Sequence, residues 1–300
     1  MLQFLQRATA QLSPVALSSS SELQRAEEAS AALADAATNQ QAHPYHMVDP
    51  SPWPLLVSFA LLTTTSGCVQ WFHGTTGGLT NLYLGLLTTA LGMALWFSDV
   101  ITEGTFQGNH TIKVVASLNL GMVLFIISEA LFFVSIFWAY FHSALAPTVE
   151  LGATWPPVGI QSLDAFAIPL LNTILLLSSG AAVTYAHHAV VAKGRQAALE
   201  GLLVTVVLAI VFTALQGVEY MDAGFTFADG VYGSTFFFAT GFHGFHVAIG
   251  TVFIAIGGIR LYYYHLTSQH HVGLESAILY WHFVDVVWLF LYISVYIWGA

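Results

Sequence analysis

A single carboxylate, Glu129, stands near the middle of Leu120–Phe141, which reads LGMVLFIISEALFFVSIFWAYF. About 20 apolar residues cross a bilayer as a helix. A charged side chain at that depth costs about 2.5–3.5 kcal/mol, so it faces protein or trapped water. Proton handling is the chemistry this residue type allows there. The plainer reading is a carboxyl held between helices by Ser128, Ser135 or a backbone carbonyl.

Two pairs of polar residues sit in other apolar stretches. His243 and His246, in Gly241-Phe242-His243-Gly244-Phe245-His246, are three apart and share a helical face. Two imidazoles so spaced can share a metal, and Glu219, at the end of the preceding segment, could approach them. Small Gly241, Gly244 and Ala248 equally describe a close helix-packing strip with the imidazoles hydrogen-bonded across it. His282 and Asp285 repeat the spacing. There the carboxylate orients the imidazole or the two polar groups neutralise one another. His187-His188 and His270-His271 fall at segment ends and read as interfacial polar residues. Glu103, His110, Lys113 and Arg260, with Trp96 and Phe97 nearby, suit phospholipid headgroups and their glycerol region, or ordinary snorkelling.

Whatever these residues do, apolar helices must position them. The chain is 56% hydrophobic and 7% charged, with a mean hydropathy of +0.72. Soluble domains carry about 25% charged residues. From Trp53 onward seven apolar segments run approximately 55–71, 79–97, 117–142, 165–186, 199–220, 235–263 and 274–298. An all-α polytopic membrane protein with seven transmembrane helices is the predicted fold. Trp53, Trp71, Trp96, Trp138, Trp281 and Trp298 near segment ends or flanks fit an interfacial belt.

Basic residues give an orientation. Arg7, Arg25, Lys113, Lys193 and Arg195, with Arg260 at the edge, all fall on the N-terminal side of a seven-span layout. The opposite connections hold no Lys or Arg. By the positive-inside rule the basic side is cytoplasm or mitochondrial matrix. A net charge of −10 argues against nucleic acid, and the lone Cys68 excludes an internal disulfide.

Residues 1–42 differ from the rest. Met1–Ser20 faintly resembles a targeting segment, whereas Ser21-Glu22-Leu23-Gln24 fits a capping box opening a short soluble helix. The layout is therefore an extension over 1–42 and a transmembrane domain over 43–300.

No phosphate loop, Ser-centred nucleophile elbow, HExxH or CxxC is present. Two rival functions fit the residues: a proton-coupled transporter with a relay of Glu129, Glu219, Asp285 and histidines, and a haem protein ligated by His243, His246 or His282. Nothing in the spacing specifies either.

Longer strings resemble one family. Tyr45–Pro54 (YHMVDPSPWP), Thr105–Gly108 (TFQG), Ile126–Glu129 (IISE), Leu145–Thr148 (LAPT), Trp155–Ile160 (WPPVGI), Asp229–Phe237 (DGVYGSTFF) and Tyr280–Phe290 (YWHFVDVVWLF) are similar to cytochrome c oxidase subunit III of the mitochondrial type, in order, over about 45–300. The resemblance implies helices one and two splayed from three to seven around a lipid-filled cleft, and association with core subunit I and other complex subunits. It implies no redox centre in this chain: haem and copper are expected in partner subunits, with structural phospholipid here. It implies a proton-related role for Glu129 and phospholipid contact for Glu103, His110 and Arg260, which Trp96 and Phe97 join by their place in the sequence; His243, His246, Glu219, His282 and Asp285 stay, from their spacing, buried polar groups. The implied location is the mitochondrial inner membrane, N-terminus in the matrix, C-terminus in the intermembrane space.

The chain departs from the family at Ser98, Thr102 and Asn119, where arginines are usual, and around Tyr262 and Tyr263, where a lysine is expected. Those losses weaken individual headgroup contacts. The extension and the Thr runs of helices one and two point to synthesis outside the mitochondrion followed by import.

Overall fold

Runs of 20 or more apolar residues leave their backbone no water to bond, so each satisfies itself as a helix. The computed structural model describes residues 43–300, and the targeting segment and capping box expected within 1–42 lie outside it. Among the described residues seven helices are long and apolar enough to cross a membrane. They are α1 (Trp53–Phe72), α2 (Gly78–Thr105), α3 (Ile112–Leu145), α4 (Ile168–Val191), α5 (Arg195–Asp222), α6 (Gly230–Tyr262) and α7 (Val272–Leu291). A π-helical stretch, Tyr292–Ile297, continues α7.

Most helices outrun their predicted segments because polar residues continue the end turns. α2 carries Asp99 and Glu103 into its last turns, and α3 opens at Ile112 behind the N-cap Thr111. The predicted 98–116 connection thereby shrinks to 106–111.

α1 and α2 form a hairpin that packs on itself far more than on α3–α7. Its closeness depends on glycine: a Cβ on Gly85 would stand 2.5 Å from the Thr64 backbone nitrogen, and one on Gly67 as near to that of Leu82. The expected separation of helices one and two from the rest is thus present as a packing pattern.

α3–α7 make the second group, with α7 at its centre: 61% of its apolar span lies inside the protein, against 11% for α3. Two buried tryptophans on α7 anchor α4, and Trp281, expected in the interfacial belt, is instead a core residue. Trp281 Nε1 donates to Ser179 Oγ and Trp288 Nε1 to Thr173 Oγ1, both at 2.9 Å. The outer surface of α3 remains apolar, with Leu131 and Trp138 exposed, as a lipid or protein neighbour requires.

Candidate functional site

Glu129 on α3 meets His246 on α6, Oε2 to Nε2 at 2.9 Å. Ser128 and Ser135, the neighbours expected to hold the carboxyl, instead donate to Phe125 O and Phe132 O of their own helix at 2.6 Å. A serine hydroxyl reaches its own preceding turn more readily than a residue elsewhere on the helix surface. The His246 side chain is 5% exposed and that of Glu129 24%. Phe133, Phe242 and Tyr280 surround the imidazole, with ring centroids 5.1, 4.5 and 6.1 Å away.

The second nitrogen fixes the proton count. His246 Nδ1 lies 2.8 Å from the Phe242 carbonyl, which only accepts, so Nδ1 carries hydrogen. The Nε2–Oε2 contact then needs one proton, on the imidazole or on the carboxyl. Both arrangements are net neutral, so the pair can sit in an apolar bundle and still offer a transferable proton.

His243, three residues earlier, turns elsewhere. It is fully buried, its Nε2 faces the Val284 carbonyl of α7 at 3.2 Å, and Phe212 and Trp288 flank its ring. The two imidazoles therefore serve different neighbours and do not converge on a metal. Glu219 does not reach them. It accepts from Tyr296 Oη at 2.5 Å and from Gln216 Nε2 at 3.0 Å, and Asn172 Nδ2 bonds Gln216 Oε1 at 3.3 Å.

His282 and Asp285 are near one another as their spacing predicts, Nδ1 to Oδ2 at 3.7 Å, which is too long for a hydrogen bond. Thr184 Oγ1 of α4 holds the other nitrogen at 3.1 Å. Gly180 of α4 leaves the space Asp285 uses, since a Cβ there would collide with Oδ2.

At the end of the bundle where α2 closes, the residues expected at headgroup level gather. Arg260 Nη2 donates to Thr105 Oγ1 at 3.0 Å, joining α6 to α2. His46 Nε2 is 3.8 Å from Glu103 Oε2, and its ring is 5.9 Å from that of His110. Burial, then the neighbouring His46, hold His110 below the usual histidine pKa; Arg260 adds to this and Glu103 opposes it. Trp96 and Phe97 stand exposed on α2, 39% and 58%.

Two arrangements escaped the sequence reading. Arg195 donates to Tyr262 O at 2.6 Å and Leu261 O at 3.3 Å, with its guanidinium 3.9 Å above the Tyr264 ring. It closes the C-terminal end of α6, where its charge also meets the helix dipole. His187, His271 and Glu275 converge at the same end of the bundle as Arg260 and Arg195. The signal for this cluster was the i, i+4 spacing of His271 and Glu275.

Comparison with known proteins places these features in context. Residues 43–300 match the family described as cytochrome c oxidase subunit III. Cytochrome c oxidase subunit 3 of Mycosarcoma maydis is 60% identical over 268 residues, covering 88% of this chain and 98% of that protein. The proteins of the same name from Marchantia polymorpha and Scyliorhinus canicula are 59% and 58% identical, each over 87% of this chain, and over 98% and 99% of their own lengths.

Proposed function

The chain belongs to the cytochrome c oxidase subunit III family, and we propose that it serves the oxidase as a non-redox subunit that steadies core subunit I, holds phospholipid and keeps protons arriving at the uptake side. Membership makes it a subunit of an oxidoreductase complex of the mitochondrial inner membrane. The complex passes electrons from cytochrome c to oxygen and pumps protons. Haem and copper belong in this proposal to partner subunits. The N-terminus lies in the matrix and the C-terminus in the intermembrane space, as Lys113, Lys193 and Arg195 favour.

The observation that carries the proton role is the Glu129–His246 contact. A single proton shared by two groups of net zero charge can be given up and regained without leaving two charges in the membrane. The Arg260–Thr105 bond supports the lipid role, because with the Phe106–His265 ring contact it ties the end of the α1–α2 hairpin to the bundle at headgroup level, while the hairpin packs mainly on itself. Trp96, Phe97, Glu103 and His110 complete the surface for a zwitterionic headgroup there.

Stripping this subunit from the purified oxidase by detergent and following oxygen consumption tests the reading. The expected result is a near-normal initial rate that decays during turnover and is rescued by adding back the chain with phospholipid. A stripped enzyme that keeps its rate through prolonged turnover would refute the supporting role.

A further inference from the structure

We propose that His187, His271 and Glu275 form a binding site for a divalent zinc-like metal ion that clamps the end of α4 to the start of α7. One ligand atom from each residue lies within 4.8 Å of the others. His271 Nε2 is 3.1 Å and His187 Nε2 is 3.9 Å from Glu275 Oε1. Donors about 2.0–2.1 Å from a tetrahedral ion stand ~3.4 Å apart, so small side-chain adjustments would bring all three into coordination.

The ring nitrogens are already set for it. His271 is 7% exposed, and its Nδ1 lies 2.9 Å from the Thr267 carbonyl. That carbonyl makes Nδ1 the hydrogen-bearing nitrogen and leaves the Nε2 lone pair turned into the cluster, the usual outer-shell arrangement behind a metal-bound imidazole. Nε2 of His271 and Nε2 of His187 are both buried without a hydrogen-bond partner. Buried polar atoms in that state call for a ligand.

Access and donor type narrow the occupant. The cluster borders an open cavity of about 400 Å³ lined by Asn119, Thr184, His187, Glu275 and His282. An ion can enter there and keep a water as its fourth ligand. Two imidazoles and one carboxylate suit zinc, whereas magnesium and calcium prefer oxygen donors. The site is separate from the Glu129–His246 pair and does not depend on the proton reading.

The test uses the assembled oxidase, cleared of loose metal with EDTA, equilibrated with Zn²⁺ and assayed for zinc per haem. His187→Gln and Glu275→Gln complexes are compared with wild type and with His188→Gln, which removes the adjoining imidazole outside the cluster. Wild type and His188→Gln should each hold one zinc more than the two site variants, and excess Mg²⁺ should not displace it. Equal zinc in all four complexes, the same loss in His188→Gln, or displacement by Mg²⁺ overturns the assignment. Should a variant fail to assemble, anomalous scattering at the zinc edge from the zinc-loaded wild-type complex decides. A peak between His187, His271 and Glu275 is expected, and its absence there overturns the site.

Discussion

His246 reaches Glu129 across 117 residues of sequence and meets it at 2.9 Å, while the other nitrogen of the same ring is committed to the Phe242 carbonyl. One imidazole thus ties α3 to α6 and determines that a single proton occupies the contact. Removing His246 leaves the carboxyl of Glu129 without that partner in an apolar setting. A His246→Leu complex should lose about 1–3 kcal/mol, the cost of an unsatisfied buried polar group. Thermal release of the subunit from the complex measures it. A Glu129→Leu, His246→Leu double variant should recover part of that loss, because neither partner then remains unpaired.

The α1–α2 hairpin predicts a different failure. Gly85→Val pushes a branched side chain into the backbone of Thr64, and overpacking of this kind costs about 1–3 kcal/mol. Limited proteolysis of the complex should show cleavage between α1 and α2 rising while α3–α7 stay protected. Protection unchanged across the hairpin would contradict the close approach of the two helices.

Trp281 fills the contact of α7 with α4 and α6: its indole donates to Ser179, and its ring leaves room for no Cβ at Gly250. Trp281→Ala opens a cavity and removes the bond that Ser179 Oγ accepts, although that hydroxyl still donates to Leu176 O, for an expected loss of about 3–5 kcal/mol. Trp281→Phe should cost less, since most of the volume remains. Similar melting of the two variants would show that the ring does not pack as described.

His110 gives a pH dependence. Its pKa lies below the ordinary value of 6.5, from burial first and then from His46 and Arg260, against Glu103. The unfolded chain therefore binds the proton more readily, and stability rises with pH between the depressed value and 6.5. Its contribution is complete above that window and lost as pH falls through it. Amide protection in 106–111, taken relative to the intrinsic exchange rate at each pH, should fall on acidification, and His110→Gln should flatten the response.

The seven helices were legible because hydropathy over some 20 residues is a strong local signal. Their ends were not, since Asp99 and Glu103 look like loop residues although α2 continues through them. At Glu129 the depth was readable, but the partner was not, because no local pattern marks a contact between α3 and α6. His243 and His246 show the limit of spacing: one helical face, as predicted, yet α7 takes one ring and α3 the other. Glu219 reads as a neighbour of those histidines in sequence and sits with Tyr296 in space. Paired histidines at 187–188 and 270–271 looked interfacial, and only the packing of α4 against α7 brings His187 to His271 and Glu275.

Sustained turnover of an assembled Glu129→Gln oxidase, followed across pH 6 to 9 (a range spanning about the titration of imidazole), tests the central claim most directly. The amide can still donate to His246 Nε2, so the subunit should assemble and the contact persist, without an exchangeable acid proton. The account predicts a changed pH profile or faster loss of activity during turnover. A variant that matches wild type in rate and endurance at every pH contradicts it.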